Sequence, residues 1–547
     1  MALIKTGLAL CVAAFFSAAA LAQAEPQSDS QPPQAEETEH FDIERFEIEG
    51  NSLLGENEIE ALLRELTGKQ REYGDVQRAL ELLENRYKEK GYAAVQVYVP
   101  EQELGKGIVT IKVIEASIRR VRVQGNEIYS EESIRRAMPA VREGGFPNAV
   151  AFSQNVQLAN ENPARQVNVV MKGTDEEGLV DLDINVEESD PMRYTLSLDN
   201  TGNGQTGQHR LGVGLSYANL WGLDHVLSLN YGTSIEKPSQ VAIYSLGYRV
   251  PLYALGDSID VIVAKSDVNA GTSPTVAGPL NFAGKGDIYG LRYNLLLPRS
   301  GEFSHRVVFG FDLKAFQNNC TIAGAAVCGS SGQDITSRPV SVTYSGSWAR
   351  PGEQSDFSLN YTQNIPGAGM GSSREFALAR PSPSGGSGAS ANFSLVKATA
   401  SHFQSLPEDW QMRIAGNAQY SRQSLISGEQ FGIAGSTAVR GFSEREVARD
   451  TGYYANFELY TPNVAPGLGY KEASMRVVGY YDLGWAINNP LQGEEKQRSA
   501  IASVGAGIRF AVQKNFNWRF DFAQVVDQGG SKARGARKAA FALSYGF

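Results

Sequence analysis

The 547-residue chain has a formal net charge of −10, which disfavours a nucleic-acid partner because phosphates require a basic surface. Its five histidines, His40, His209, His225, His305 and His402, are scattered without the spacing of a metal site. The composition therefore predicts no metal, no cofactor and no nucleic-acid partner.

The N-terminus is typical of a cleavable secretory signal. Lys5 precedes an apolar stretch from Gly7 to Leu21, and Ala22-Gln-Ala24 follows it. We expect residues 1–24 to be removed, and Cys11 to be an ordinary residue of the apolar stretch. No later segment offers the roughly 18 apolar residues of a transmembrane helix, so a membrane form of the mature chain would cross as strands.

Composition divides the mature chain near Pro191. Residues 25–40, rich in Gln, Pro, Ser and Glu, are predicted to form a flexible leader. Residues 41–189 are acidic and carry helical patterns, whereas residues 190–547 are rich in Gly, Ser, Asn, Tyr and Phe in short alternating runs. We therefore predict two kinds of domain in tandem.

The first region contains an internal repeat. Phe46-Glu-Ile-Glu-Gly-Asn51 recurs as Val121-Arg-Val-Gln-Gly-Asn126, each a strand that ends in a Gly-Asn turn before an amphipathic helix. A closing strand and a middle strand also recur in each copy. The repeat predicts two small α+β domains with the order β-α-α-β-β, at residues 41–116 and 117–189.

The pattern of the second region indicates a membrane β-barrel. Alternating runs such as Leu211, Val213, Leu215 and Tyr217 predict about sixteen antiparallel strands of about 9–11 residues, the length that crosses a bilayer obliquely. We expect no helix within this region. The predicted fold class is an all-β transmembrane barrel preceded by two small α+β domains, because only a closed sheet satisfies every backbone group inside a bilayer.

Short and long connections alternate along the predicted barrel. Tight turns are predicted at Trp221–Asp224, Pro298–Gly301, Pro351–Gln354 and Leu406–Asp409, between long loops near 269–284, 318–336, 365–388 and 422–452. Short turns in the periplasm and long loops outside are the usual arrangement. Cys320 and Cys328 share one long loop, and we expect them to form a disulfide outside the cell.

The last strand has an apolar face. Phe541, Leu543, Tyr545 and the terminal Phe547 alternate with small residues, which indicates a strand that closes the barrel and signals its assembly. The segment Gly278–Lys285 is similar to a phosphate-binding loop only superficially, because Gly286 stands where Ser or Thr is required. We interpret that segment as a flexible loop and predict no catalytic residues.

The repeat ahead of a β-rich half resembles polypeptide-transport-associated (POTRA) domains. The resemblance implies capture of unfolded chains, in which an extended peptide adds to an open sheet edge. In POTRA-like folds the middle strand is the open edge. The candidate docking residues are therefore Val95, Val97, Val99, Val167 and Val169; the alternative is that both modules act only as spacers.

One loop carries the most specific motif, Val439-Arg440-Gly441-Phe442. It resembles the VRG[FY] signature of the sixth loop in the barrel superfamily of two-partner secretion transporters (TpsB) and barrel-assembly factors. Tyr480-Tyr-Asp-Leu-Gly484 resembles the F-x-D-x-G strand of the same family, with Tyr480 in place of the usual Phe. The resemblance implies that this loop enters the pore and that Arg440 pairs with Asp482, with Glu458 as a secondary partner. The alternative is a solvated Arg440.

The resemblance implies an outer-membrane translocator of a Gram-negative bacterium, with its POTRA domains in the periplasm. Its partners would be a secreted exoprotein, the outer-membrane lipids and the machinery that inserts the barrel itself. An assembly factor for other barrels is the alternative, although its relatives usually carry more POTRA domains. A passive porin is a third possibility.

The resemblance leaves the cargo open among an adhesin, a cytolysin, a contact-dependent toxin and a haem-binding protein. Several secretion transporters begin with a helix that plugs the pore. Residues 25–40 leave little room for such a helix, so we expect gating to depend mainly on the sixth loop.

Overall fold

The computed structural model describes residues 40–103, 107–204, 206–267, 271–282, 285–317, 321–322, 325–326 and 334–547. The predicted signal, residues 25–39 of the leader, Cys320 and Cys328 lie outside the described residues. No helix within these ranges is long and apolar enough to span a bilayer.

The first domain has the predicted order of elements. Its main sheet has the order β2-β5-β4, in which β5 runs parallel to β2 and antiparallel to β4. A small sheet of β1 and β3, which the sequence did not predict, flanks it. The elements are β1 (Phe41–Ile43), β2 (Arg45–Glu49), α1 (Glu56–Leu63), β3 (Gly68–Arg71), α2 (Tyr73–Glu89), β4 (Val95–Tyr98) and β5 (Ile108–Glu115).

The second domain repeats this arrangement without the small sheet. Its strands have the order β6-β8-β7, again with one parallel and one antiparallel pair. The elements are β6 (Ser117–Gln124), α3 (Glu131–Ala137), α4 (Ala149–Ala159), β7 (Arg165–Gly173) and β8 (Leu179–Glu188). The predicted internal repeat is therefore a structural repeat.

The recurring Gly-Asn turn has a steric cause. Gly50 and Gly125 have φ angles of 84° and 83°, which favour glycine. A Cβ atom on Gly50 would lie 2.2 Å from the Val113 carbonyl oxygen, and one on Gly125 would lie 2.3 Å from that of Val186. Both copies therefore need glycine where the first strand turns beside the last strand.

A closed antiparallel barrel of sixteen strands follows, as predicted. The strands are β9 (Met192–Asp199), β10 (Arg210–Leu220), β11 (His225–Ser234), β12 (Ala242–Leu252), β13 (Asp257–Ser266), β14 (Gly286–Leu296), β15 (Phe303–Phe316), β16 (Ile335–Ser337 continued by Pro339–Arg350), β17 (Glu353–Asn364), β18 (Ser394–Ser405), β19 (Gln411–Tyr420), β20 (Thr451–Tyr460), β21 (Ala473–Ile487), β22 (Arg498–Val512), β23 (Phe516–Gln528) and β24 (Arg537–Gly546).

The barrel closes between its last and first strands. β24 pairs with β9 from Ala542 opposite Asp199 to Gly546 opposite Thr195. The terminal Phe547 extends this seam, since its carbonyl accepts a hydrogen bond from the Tyr194 N–H at 2.8 Å. Its ring stacks on that of Tyr194 with 5.5 Å between the centroids.

The short connections lie at the end of the barrel that touches the second domain, where Arg136 donates a hydrogen bond to the Gly222 carbonyl. Most connections at the other end are longer, and some of them contain elements that the sequence did not predict. A helix, α5 (Ser373–Ala379), is capped by Ser372 and buries Phe376, so the expectation of a helix-free region is wrong. The expected flexible loop Gly278–Lys285 includes a strand, Gly278–Phe282, that pairs with Gly271–Thr275.

Candidate functional site

The sixth long connection, residues 421–450 (loop 6), runs along the inner wall of the barrel. An apolar cluster joins it to strands β21, β22 and β23. The loop contributes Ile433, Ala434, Val439, Phe442 and Val447, and the wall contributes Ala486, Ile501 and Val525. This burial fixes the backbone of the motif 439–442 inside the lumen.

Arg440 is the polar centre of loop 6, and its side chain is only 6% exposed. Its Nε and Nη2 donate to the two carboxylate oxygens of Asp482, each at 2.7 Å. Its Nη1 donates to Glu458 at 2.8 Å and to Asp521 at 3.4 Å. The guanidinium carbon also lies 3.4 Å from the centroid of the Tyr480 ring. The two-pronged contact with Asp482 requires the planar fork of arginine.

Further groups satisfy the three carboxylates of this network. Glu458 accepts hydrogen bonds from Arg413 at 3.1 Å and Tyr460 at 2.7 Å, and Asp521 accepts one from Arg509 at 2.7 Å. Asn456 donates to Asp482 at 2.8 Å and also to the loop carbonyl of Ala438. Arg413, Arg440 and Arg509 thus balance Asp482, Glu458 and Asp521, which lowers the cost of burying each charge.

Two glycines allow loop 6 to approach the wall. A Cβ on Gly484 would lie 3.0 Å from a methyl carbon of Val439 and 3.3 Å from one of Ile433. Gly441 has a φ of 94°, which side-chain-bearing residues rarely adopt, and turns the chain between Arg440 and Phe442. Gly441 is therefore favoured by the backbone conformation of the loop, and Gly484 leaves room for Val439 and Ile433 to pack closely against the wall.

The sequence identified only part of this network. It named Arg440, Asp482 and Glu458, and the structure brings these three side chains together. It missed Asp521, although Phe520-Asp-Phe522 repeats the pattern of a charge between two aromatic or aliphatic neighbours that marks Glu458 and Asp482. The contributions of Arg413, Arg509 and Asn456 had no local signal because they depend on which strands face the loop.

A second ionic cluster ties the outer loops together. Arg380, in the connection after β17, donates to Asp450 at 2.9 Å and to Glu494 at 2.9 Å. Asp450 ends loop 6, and Glu494 lies in the connection after β21. Asp450 is fully buried and also accepts N–H bonds from Leu425 and Asn489. This cluster fixes the outer end of loop 6.

The first candidate docking strand, β4, is a sheet edge. Within the described part of the chain it pairs on one side only, with β5. The Ala94 carbonyl accepts a bond from the Ala116 N–H, so Ala94 faces β5. Alternate residues face opposite ways in an antiparallel pair, so the backbone groups of Val95 and Val97 point outward, and those of Val99 follow the same alternation just past the strand.

The second candidate strand, β7, is open only in part. The Val167 N–H donates to the Asn160 side chain at 2.6 Å, and the Val167 carbonyl accepts from it at 3.0 Å. The outward backbone groups of Val167 are therefore occupied. The prediction that Val167 is open for docking is wrong. By the same alternation, the backbone N–H and C=O groups of Val169 and Met171 point away from β8, and these two residues form the open part of the edge.

A buried ion pair anchors β7 to the barrel. Arg165, the first residue of β7, donates to Asp224 in the first short turn at 3.1 Å, and both side chains are 0% exposed. Tyr253, in the second short turn, and Ser133 also donate to Asp224. Burial raises the pKa of the Tyr253 phenol above its ordinary value, and the Asp224 carboxylate raises it further. Tyr253 and Leu296 complete the core of the second domain.

The predicted residues of the last strand lie on the barrel wall. Tyr545 and Phe547 are exposed on the outer face, while Phe541 and Leu543 are partly buried there. In the described ranges, no three His, Cys, Asp or Glu side chains lie close enough to hold a metal ion.

Comparison with known proteins identifies the family. Residues 178–510, more than half of the chain, match the model of the haemolysin secretion/activation protein ShlB/FhaC/HecB. The chain belongs to this family. Residues 41–116 match the ShlB-type POTRA domain, and residues 116–189 match the POTRA model described as surface antigen variable number repeat.

Curated relatives and solved structures agree with this assignment. The outer membrane transporter CdiB of Dickeya dadantii is 22% identical over 426 residues, 77% of this chain and 72% of that protein. The heme/hemopexin transporter protein HuxB of Haemophilus influenzae is 21% identical over 495 residues, 86% of this chain and 81% of that protein. CdiB from Escherichia coli has the same fold, with a TM-score of 0.73, 17% identity and coverage of 95% of this chain and 93% of that chain.

The family assignment decides between the functions that the sequence left open. The protein is an outer-membrane transporter of the two-partner secretion type, with its POTRA domains in the periplasm. The prediction of secretion is confirmed over that of an assembly factor for other barrels.

Proposed function

We propose that this transporter exports an unfolded exoprotein, which it captures on its open POTRA edges and passes through the barrel lumen. The observation that carries the proposal is loop 6, which occupies the lumen and is held to the wall by an apolar cluster and by the side-chain contacts of Arg440 and Asp450. Such a loop can leave without any barrel strand unpairing. Export then requires that Arg440 releases Asp482 and Glu458 and binds them again afterwards.

Capture begins at the two open edges. An extended peptide that adds to β4 or β7 would be held by backbone hydrogen bonds, which tolerate many sequences. The ion pair between Arg165 and Asp224 supports a role for β7 in delivery, because it fixes the start of this strand at the barrel rim. A peptide on the β7 edge would therefore lie beside the lumen.

Two further partners follow from the outer surface. Val213, Tyr231, Leu359 and Phe457 are among the exposed apolar side chains of the strands, which suits contact with lipid tails. The apolar face that ends in Phe547 supports recognition of the last strand by the machinery that inserts the barrel.

Folding of the cargo outside would drive export, because burial of apolar surface makes its return unfavourable.

A paired proteomic comparison tests the function. Culture supernatant and outer membrane would be compared between cells with and without this protein. We expect the loss of one large secreted or surface protein, with other barrels unchanged. A broad fall in many outer-membrane barrels would contradict the proposal and favour an assembly factor.

Substitution of Val169 by proline tests the docking edge. The Val169 N–H points away from β8, so proline removes a donor from the open edge and leaves the β7–β8 ladder intact. Loss of one hydrogen bond worth about 1 kcal/mol predicts an export reduction of about fivefold. Export would be measured as the amount of the identified exoprotein in the supernatant.

Val169→Thr is the matched control, because it keeps the N–H and the β-branched shape. It should export at the wild-type level. Equal export by the proline and threonine variants, at equal amounts in the membrane, would show that this edge does not receive cargo.

A further inference from the structure

A β-hairpin from the third long connection lies inside the lumen. Its strands, Gly271–Thr275 and Gly278–Phe282, are joined by Val276 and Ala277. The connection leaves the wall at the outer ends of β13 and β14, yet the hairpin runs back along the inner face of β11 and β12. An outer loop therefore occupies part of the pore that loop 6 does not fill.

Three contacts fix the hairpin along the wall. Asn230 donates to the Pro274 carbonyl at 2.9 Å, and the Ser245 and Ser273 hydroxyls lie 2.7 Å apart. Deeper in the lumen, Arg249 donates to the Val276 carbonyl at 3.0 Å. Arg249 lies seven residues along β12 from its outer end at Ala242, so the hairpin tip reaches roughly 20 Å into the barrel.

The hairpin tip meets the second POTRA domain at Arg249. Besides the Val276 carbonyl, Arg249 binds Asp260 of the wall at 2.7 Å and Glu161 of that domain at 3.2 Å. Val276 also packs against a buried cluster that contains Ala164 of the same domain. One guanidinium thus joins the wall, the hairpin and the periplasmic domain.

The hairpin is held less firmly than loop 6. Its contacts are hydroxyl and carbonyl hydrogen bonds with one small apolar cluster, whereas Arg440 sits in a buried network of three carboxylates. A cavity of about 480 Å³ lies beside it, lined among others by Val226, Thr275 and Val276. Part of the hairpin therefore faces open space instead of a packed core, so fewer contacts oppose its departure.

The two lumen elements dock on different strands of the barrel. Loop 6 docks on β21 to β23 and the hairpin docks on β11 and β12, and in the closed barrel of sixteen strands β24, β9 and β10 lie between the two docking sites. Departure of loop 6 alone would leave the hairpin in the pore. A polypeptide that crosses the lumen would then still meet it.

We propose that the hairpin 271–282 is a second gate, which must leave the β11–β12 wall before the pore opens fully. Arg249 is the positioning residue that holds its tip against the second POTRA domain. This inference rests on the proposed export through the lumen, but its test uses ion conductance and no cargo. Failure of the gate is therefore distinguishable from failure of the export function.

A disulfide lock tests the gate. Ser245→Cys and Ser273→Cys would be combined in full-length protein that also carries Cys320→Ser and Cys328→Ser, and single channels would be recorded in planar lipid bilayers. Oxidation should reduce the fraction of time in large-conductance openings at least about tenfold, and a thiol reductant should restore it. Each single-cysteine variant and the cysteine-free parent should not respond to the reductant.

A second variant makes the test independent of the crosslink. Replacement of residues 272–281 by a short Gly-Ser linker should increase large openings and make cells more sensitive to vancomycin, an antibiotic that normally does not cross the outer membrane. Faster gel migration of the unheated sample would verify the folded barrel. Unchanged openings in the crosslinked protein, or in the folded variant without the hairpin, would overturn the proposal.

Discussion

Replacement of Arg440 by alanine should reduce export to below about one tenth of the wild-type level while the barrel still inserts. The substitution leaves Asp482, Glu458 and Asp521 facing one another with only Arg413 and Arg509 to balance them. Removing one partner of a buried ionic network typically costs about 3–5 kcal/mol. Because the cost falls on the docked loop and not on strand pairing, the barrel should fold.

Export would be measured on the exoprotein identified by proteomics, and insertion by the heat-dependent gel shift of the barrel. Arg422→Ala, at an exposed arginine of the same loop, is the control and should export normally. Arg440→Lys should lie between the two, because lysine keeps the charge but not the fork that binds both oxygens of Asp482. Normal export by Arg440→Ala would remove the arginine from the mechanism.

Replacement of Arg165 by methionine should detach the second POTRA domain from the barrel rim. We expect it to reduce export about as strongly as Arg440→Ala does. The change leaves the buried Asp224 carboxylate with only the hydroxyls of Ser133 and Tyr253 among its side-chain partners. An uncompensated buried charge costs about 3–5 kcal/mol. Distances between spin labels on Asp175→Cys and Leu255→Cys, in protein with Cys320→Ser and Cys328→Ser, should change from a narrow to a broad distribution.

The double variant Arg165→Met/Asp224→Asn separates lost charge balance from lost shape. Asparagine tolerates the left-handed backbone of Asp224, whose φ is 61°, and carries no charge. The double variant should therefore recover much of the narrow distribution and of the export. Arg142→Met, at an exposed arginine of the same domain, should change neither. A narrow distribution in Arg165→Met would contradict the anchoring role.

The barrel was predictable because its physics is local. Each strand must present apolar side chains to lipid and small or polar ones to the lumen. Apolar residues therefore recur at every second position of the sequence. Val213 and Leu359, for example, are 50% and 52% exposed on the outer face, as their alternation indicates. The internal repeat was equally visible, because Gly50 and Gly125 are each required by a turn within their own copy.

The candidate site was predictable only where a motif marked it. Arg440 and Asp482 lie in recognisable segments. Asp521 lies on another strand, far from Arg440 in sequence, and the ionic cluster of Arg380, Asp450 and Glu494 joins connections that are far apart in sequence. The helix at Ser373–Ala379 was missed because seven residues within a Gly- and Ser-rich loop give too weak a periodicity. The occupied edge of Val167 was missed because its partner, Asn160, belongs to the preceding helix end.

The sequence by itself determined the compartment, the two repeated domains, the barrel and the loop that carries Arg440, because each depends on composition or on a short period. Only the tertiary structure decided what fills the lumen. Docking of loop 6, descent of the hairpin 271–282 and anchoring of Arg165 all pair residues that different strands bring together. Such contacts depend on the closure and register of the whole sheet, which no local pattern encodes.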